Sequence, residues 1–163
     1  KSRKSLLVFI WIEYCIHMET AKSLVYSELS EKGTCGRIAE SSGAYMVERI
    51  RRGLDVVELE ALADLLDCSE DALAKWLGIS KATLHRRKKA GHLDSEESER
   101  VVRVTWLFAR AEEVLGEREA AREWLRTPSP VFSGESPLEY TDTAIGAREV
   151  ENLLGRIEHG VFS

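Results

Sequence analysis

The chain has 163 residues, 44% of them hydrophobic and 31% charged, which suits one globular domain or two small ones. A formal net charge of −5 and a pI near 5.5 argue against a simple nucleic-acid sponge. Only three prolines favour helices over a turn-rich β fold.

Charge is distributed unevenly. Between Ser80 and Leu93 stand five basic residues, Lys81, Arg86, Arg87, Lys88 and Lys89, and no acid. From Ala111 to Ser163 there are eleven acids against five arginines, a net charge of −6. The middle of the chain is suited to meeting an anion and the end is not.

Residues 1–44 read as an arm or leader without an assigned function. Lys1, Arg3 and Lys4 precede an apolar run from Leu6 to Ile12. That run is too short to span a membrane, and no small-residue cleavage site follows it. Met18 is the expected natural start. The glycines Gly33, Gly36 and Gly43 mark a loop over Ser30 to Gly43. The cysteines, Cys15, Cys35 and Cys68, are odd in number and match no ligand spacing. They read as free thiols of a reducing compartment, the cytoplasm, with no metal and no cofactor expected.

Helices follow in order. Asp55 with Glu58 three residues on is an expected capping box, ahead of Leu59, Leu62, Leu65 and Leu66 at helical spacing. Ser69 opens a helix over Glu70 to Leu77, which Gly78 ends. Ser80 opens another, over about Lys81 to Ala90, which Gly91 closes. Asp94 or Ser95 starts a long helix whose inward side is Val101, Val104, Leu107, Phe108, Ala111, Val114 and Leu115, with Gly116 as its stop. A shorter helix carries Ala120, Ala121, Trp124 and Leu125, and the loop Thr127 to Pro130 breaks it. Ser136, Pro137 and Glu139 form a capping box with proline at the first helical position. The last helix, about Thr143 to Glu158, turns Ala147, Val150, Leu153, Leu154 and Ile157 inward, and Gly160 ends it. The expected fold is all-α: a helix-turn-helix bundle over 45–115 and a small helical domain over 116–163.

The segment Asp71 to Arg86 has the parts of a helix-turn-helix. Ala74 is small enough for the helix crossing, Gly78 stands four residues later at the turn, and Ile79 and Leu84 are apolar where the second helix must bury. Ser80, Lys81 and Thr83 begin that second helix, the end that reaches base edges in a major groove. Arg86, Arg87, Lys88 and Lys89 extend it with cations suited to phosphates, and His85 is a further DNA contact or simply an exposed helix histidine. These eight residues are the candidate DNA contacts, Lys81 and Arg86 foremost. A helical hairpin with a solvated basic face accounts for the same charges. A helix-turn-helix of this kind works as a dimer on two half-sites.

Further along come Ala121-x-x-Trp124-Leu125-x-x-Pro128, Gly134-x-x-Pro137-Leu138, Thr143-x-x-Gly146 and Leu154-x-Arg156-Ile157-x-x-Gly160. This order resembles the toxin-binding domain of the Xre/MbcA/ParS antitoxins. The middle resembles the same family's Xre-type helix-turn-helix, at Thr83-Leu84-x-Arg86-Arg87 and Leu93-Asp94-x-x-Glu97-Ser98. The resemblance runs from about Tyr45 to Ser163. It implies an antitoxin that neutralises a RES-domain toxin, one that consumes NAD or transfers ADP-ribose from it, by covering the active site. It also implies repression of the pair's own operon through operator DNA. On that reading Arg148, Arg156, Glu158, His159, Gly160, Val161, Phe162 and Ser163 are the candidate toxin contacts, with Phe162 as aromatic anchor. Frayed termini and solvated helix faces explain the same residues without a partner.

Three other classes are weighed, one of them a structural adaptor that uses the same C-terminal domain without DNA. An enzyme is disfavoured: there is no P-loop, GxGxxG, HExxH or nucleophile elbow, and His17, His85, His92 and His159 are scattered. A stand-alone helix-turn-helix regulator, with a ligand-sensing or dimerising C-terminal domain, is the stronger rival.

Overall fold

The computed structural model describes residues 43–160, and they are all-α apart from one isolated antiparallel bridge between Asp55 and His92. The expectations for the leader, for Met18 and for the loop before Gly43 fall outside these residues. Along the chain lie α1 (Gly43–Arg52), α2 (Val56–Leu65), α3 (Glu70–Trp76), α4 (Lys81–Ala90), α5 (Ser95–Leu115) and α6 (Arg118–Arg126). A 3-10 turn (Pro130–Phe132), α7 (Pro137–Tyr140) and α8 (Ala144–Glu158) complete the set. No described helix is long and apolar enough to cross a membrane.

Helix α1 is not among the helices expected from the sequence; in it Met46 is buried and Ile50 packs on the core. The chain turns after it at Gly53, where φ is +87° and a Cβ would lie 2.2 Å from the Leu93 carbonyl oxygen. Only glycine fits there. Helix α2 buries Val56, Leu59, Ala61, Leu62, Ala63 and Leu65, so it is central and lacks a broad polar face.

The capping box expected at Asp55 does not form. The Asp55 side chain makes no cap hydrogen bond. Glu58, its intended partner, turns instead to Arg49 on α1. Burial pushes the Glu58 carboxyl above the ordinary carboxylate range, with Arg49 acting in the opposite direction. The caps expected elsewhere are built as their side chains dictate. Ser69, Ser80 and Thr143 each accept a backbone N–H from the first turn. Full capping boxes close at Ser136 with Glu139 and at Asp94 with Glu97.

Helix α5, 21 residues and about 31 Å long, is the spine. Helices α1 and α2 pack along it, as do α6 and α8. One apolar cluster therefore runs through both halves, from Leu54, Leu59, Leu62 and Leu73 to Phe108, Leu125, Leu138 and Leu154. A smaller cluster joins Leu107, Phe132, Ala147 and Val150. Phe132, buried by the 3-10 turn, stacks at 5.0 Å from Tyr140, an anchor that no helical periodicity predicts. At the other end of α8, Ile157 is only half-buried, because the helix is leaving the core there.

Candidate nucleic-acid interface and partner-binding face

The turn between α3 and α4 is fixed by backbone geometry. Gly78 adopts φ +66°, its N–H donates to the Lys75 carbonyl, and the Ile79 N–H donates to the Ala74 carbonyl at 2.7 Å. Two orphan carbonyls of α3 are thereby satisfied. A third, on Leu77, accepts from the Arg100 guanidinium of α5 at 2.8 Å. Ala74, Ile79 and Leu84 are buried, each where a helix-turn-helix needs it.

At the start of α4, Ser80 Oγ accepts from Thr83 N at 3.1 Å and donates to Thr83 Oγ1 at 2.9 Å. The Thr83 hydroxyl is thus drawn into the cap. Lys81, Ala82, His85, Arg86, Lys88 and Lys89 are exposed; Ala82, His85, Arg86 and Lys89 point away from Leu84, and Lys81 stands at the start of the helix. Lys81 is 83% exposed and lies 3.0 Å from Asp71, a solvated pair that a phosphate could replace.

Arg87 is different. Its side chain is 17% exposed, with Nε 2.7 Å from Glu97 Oε2 and a second bond to Asp94. These contacts, led by the Glu97 hydrogen bond, hold its pKa above the ordinary arginine value. Arg87 ties α4 to the first turn of α5 and does not face outward. Lys88 pairs with Glu70 of α3 at 2.5 Å, which likewise raises its pKa. Of the eight residues read as DNA contacts, Lys81, His85, Arg86 and Lys89 form one exposed stripe. Ser80 and Thr83 build the cap beneath it, and Arg87 and Lys88 brace the helix. The bracing acids, Glu70, Asp94 and Glu97, are the part that sequence reasoning missed, although the Asp94-x-x-Glu97 spacing signals it.

The far half is anchored by arginines that reach helix ends. Arg122 of α6 donates to the Leu65 carbonyl at 2.8 Å and Arg126 to the Asp67 carbonyl at 3.3 Å. Both grip the end of α2, where Asp67 sits at φ +50°. Burial raises the pKa of the neighbouring Cys68 thiol.

On α8, Ala147, Val150 and Leu154 face the core, and a Cβ at Gly146 would lie 1.8 Å from the Tyr140 carbonyl oxygen. The outward side holds Ile145, Arg148, Asn152, Arg156 and His159, all exposed and three or four residues apart. Arg148, Arg156 and His159, read as partner contacts, share this stripe. Glu158 does not stand free: Arg110 of α5 holds it. Gly160, at φ +64°, ends the helix. Val161, Phe162 and Ser163 lie outside the described residues. Ile145 and Asn152 were missed, because an isoleucine at helical spacing reads as core.

Two family models match this arrangement. Residues 46–105 match the antitoxin Xre-like helix-turn-helix domain, and residues 110–160 match the antitoxin Xre/MbcA/ParS C-terminal toxin-binding domain. The matches meet within α5. An "Antitoxin Xre" of Yersinia enterocolitica is 32% identical over 125 residues, covering 76% of this chain and 84% of the relative. One of Photorhabdus laumondii is 28% identical over the same shares. One of Pseudomonas putida is 38% identical over 68 residues, 42% of this chain and 43% of the relative. With a helix-turn-helix and a toxin-binding domain in the family's order, the chain belongs to the Xre/MbcA/ParS antitoxins.

Proposed function

We propose that this chain is a non-catalytic cytoplasmic antitoxin with two outward faces. The α8 stripe and the tail Val161-Phe162-Ser163 cover the active site of a RES-domain toxin that uses NAD. The exposed side of α4, with Lys81, His85, Arg86 and Lys89, binds operator DNA as part of a homodimer and represses the pair's operon. The observation that carries this reading is the separation of the faces. α4 and α8 lie on either half of the α5 spine, each with a buried side in the core and an exposed side bearing cations.

The DNA half requires that exposed cations displace counterions from phosphates, while Ser80 and Thr83 set the angle at which α4 enters the groove. The toxin half requires a rigid platform, which Val150, Leu154 and the Arg110–Glu158 pair supply. The proposed role of Phe162 is that of an apolar anchor following that platform.

Co-expression with a RES-domain toxin candidate, sought in the neighbouring open reading frame, tests the reading. Growth is scored for the full chain and for a chain lacking residues 156–163. Rescue by the full chain, with loss of rescue by a folded truncation, is the expected result. Rescue by both would remove the tail from the mechanism. No rescue and no complex would replace the antitoxin reading with that of a stand-alone regulator.

A further inference from the structure

Two glycines lie inside α8, and the fold explains only one. At Gly146 a Cβ would lie 1.8 Å from the Tyr140 carbonyl oxygen, so the close turn from α7 into α8 leaves room for a hydrogen alone. At Gly155 a Cβ would meet nothing within 4 Å, and the backbone is ordinary helix. Glycine in a helix interior is unfavourable relative to alanine, because more backbone freedom is lost on folding. Gly155 therefore weakens α8 without a compensating contact among the described residues.

Its position supplies the reason. Gly155 lies on the outward stripe of α8, in line with Arg148, Asn152 and His159 and beside Arg156. Ile145, at the start of the stripe, is 79% exposed, far more than any other large hydrophobic of this helix. Arg148 and Arg156 are exposed and form no ion pair with a described residue. A helix position without a side chain, with an unburied isoleucine farther along the stripe and two exposed cations beside it, is what a closely packed interface uses. The glycine admits the partner's main chain, the isoleucine fills a notch, and the cations orient the encounter.

Around Gly155 the exposed arginines Arg148 and Arg156 share α8 with three acids: exposed Glu149, half-buried Glu151, and Glu158, which Arg110 holds. Arg148 and Arg156 are the cations of this helix that toxin carboxylates would meet.

We infer that the toxin's main chain packs against Gly155, with toxin carboxylates facing Arg148 and Arg156 and an apolar notch receiving Ile145. This rests on the antitoxin reading above and goes beyond it by assigning the point of closest approach and the chemistry of the toxin surface. Gly155 is a specificity-determining residue: any side chain there holds the two backbones apart.

The test uses the full chain with Gly155→Ala, Gly155→Leu and the pair Arg148→Glu with Arg156→Glu. Titration calorimetry measures binding to the inactivated RES-domain toxin that the co-expression experiment pairs with this chain, and melting temperature is recorded for each variant. Gly155→Ala is expected to raise the melting temperature by a few degrees while weakening toxin binding about tenfold. A residue with a merely structural role would not move the two in opposite directions. Gly155→Leu is expected to abolish measurable binding, and the double reversal to weaken it at least about tenfold at low salt. Variants that fold and bind like the parent would overturn the inference while leaving the antitoxin reading in place. A parent chain that does not bind would overturn both. Unchanged toxin binding with a change of oligomeric state in Gly155→Leu would assign the stripe to self-association, which also overturns it.

Discussion

Helices α4 and α8 both present arginines to solvent, yet they are held down by different forces. α4 buries one residue, Leu84, and is seated by ions: Arg87 to Glu97 and Asp94, and Lys88 to Glu70. α8 buries Gly146, Ala147, Val150 and Leu154 and is held chiefly by apolar packing. A recognition helix gives most of its surface to its ligand, so little remains to bury. Its orientation must come from partly buried charge pairs, which are directional where packing is not. α8, the helix proposed to face the toxin, can be seated by packing because only one stripe of it is needed outside.

The largest effect expected from breaking this comparison is at the α7–α8 turn. Gly146→Ala drives a methyl group into the Tyr140 carbonyl, and Leu154→Ala opens a cavity in the main cluster at a cost of about 2–5 kcal/mol. Urea unfolding should show both as large losses of stability, and toxin binding should fall with them. Next comes Arg87→Ala. It leaves Glu97, only 7% exposed, without its guanidinium, a loss of about 1–3 kcal/mol. Operator affinity should drop in a gel-shift titration although no outward cation has been removed, and toxin affinity should hold.

A smaller effect on folding, but a sharp one on function, is expected from Lys81→Ala and Arg86→Ala. Stability should change by no more than about 0.5 kcal/mol. The slope of log affinity for DNA against log salt should become shallower by about one for each phosphate that the variant no longer neutralises. The smallest effect concerns the cap of α7. Hydrogen bonds from Ser136, the backbone N–H foremost, hold the Glu139 carboxyl below the ordinary range. A lowered carboxylate pKa means that this contribution is present above the unfolded value, about 4.3, and is lost as pH falls through the folded one. Glu139→Gln keeps the reach but not the proton linkage. The stability difference between parent and variant should therefore shrink as pH drops below about 4.3, as followed by melting temperature.

Much of this fold is legible in the sequence because its boundaries are written in short-range chemistry. Ser69, Ser80, Ser136 and Thr143 cap where their side chains predict, and Gly78, Gly91, Gly116 and Gly160 stop their helices at positive φ. The failures are long-range. Glu58 leaves its own helix start for Arg49, nine residues away. Helix α1, which packs against α5 and the core, is not among the helices expected from the sequence. Of the site, the order of residues on α4 is readable, but which cations face outward is not. Arg86 and Arg87 are neighbours with opposite fates, decided by acids on other helices. On α8 the informative residues are Ile145, which looks like core, and Gly155, whose meaning depends on the empty space beside it.

The central claim is that one chain carries two faces on separate helices. The most direct measurement titrates the same preparations against an operator fragment and against the inactivated toxin: parent, Lys81→Ala with Arg86→Ala, and Arg148→Glu with Arg156→Glu. The account predicts that the α4 pair loses DNA and keeps the toxin, and that the α8 pair loses the toxin and keeps DNA. Loss of both ligands in either pair, with the fold and melting temperature intact, would contradict it.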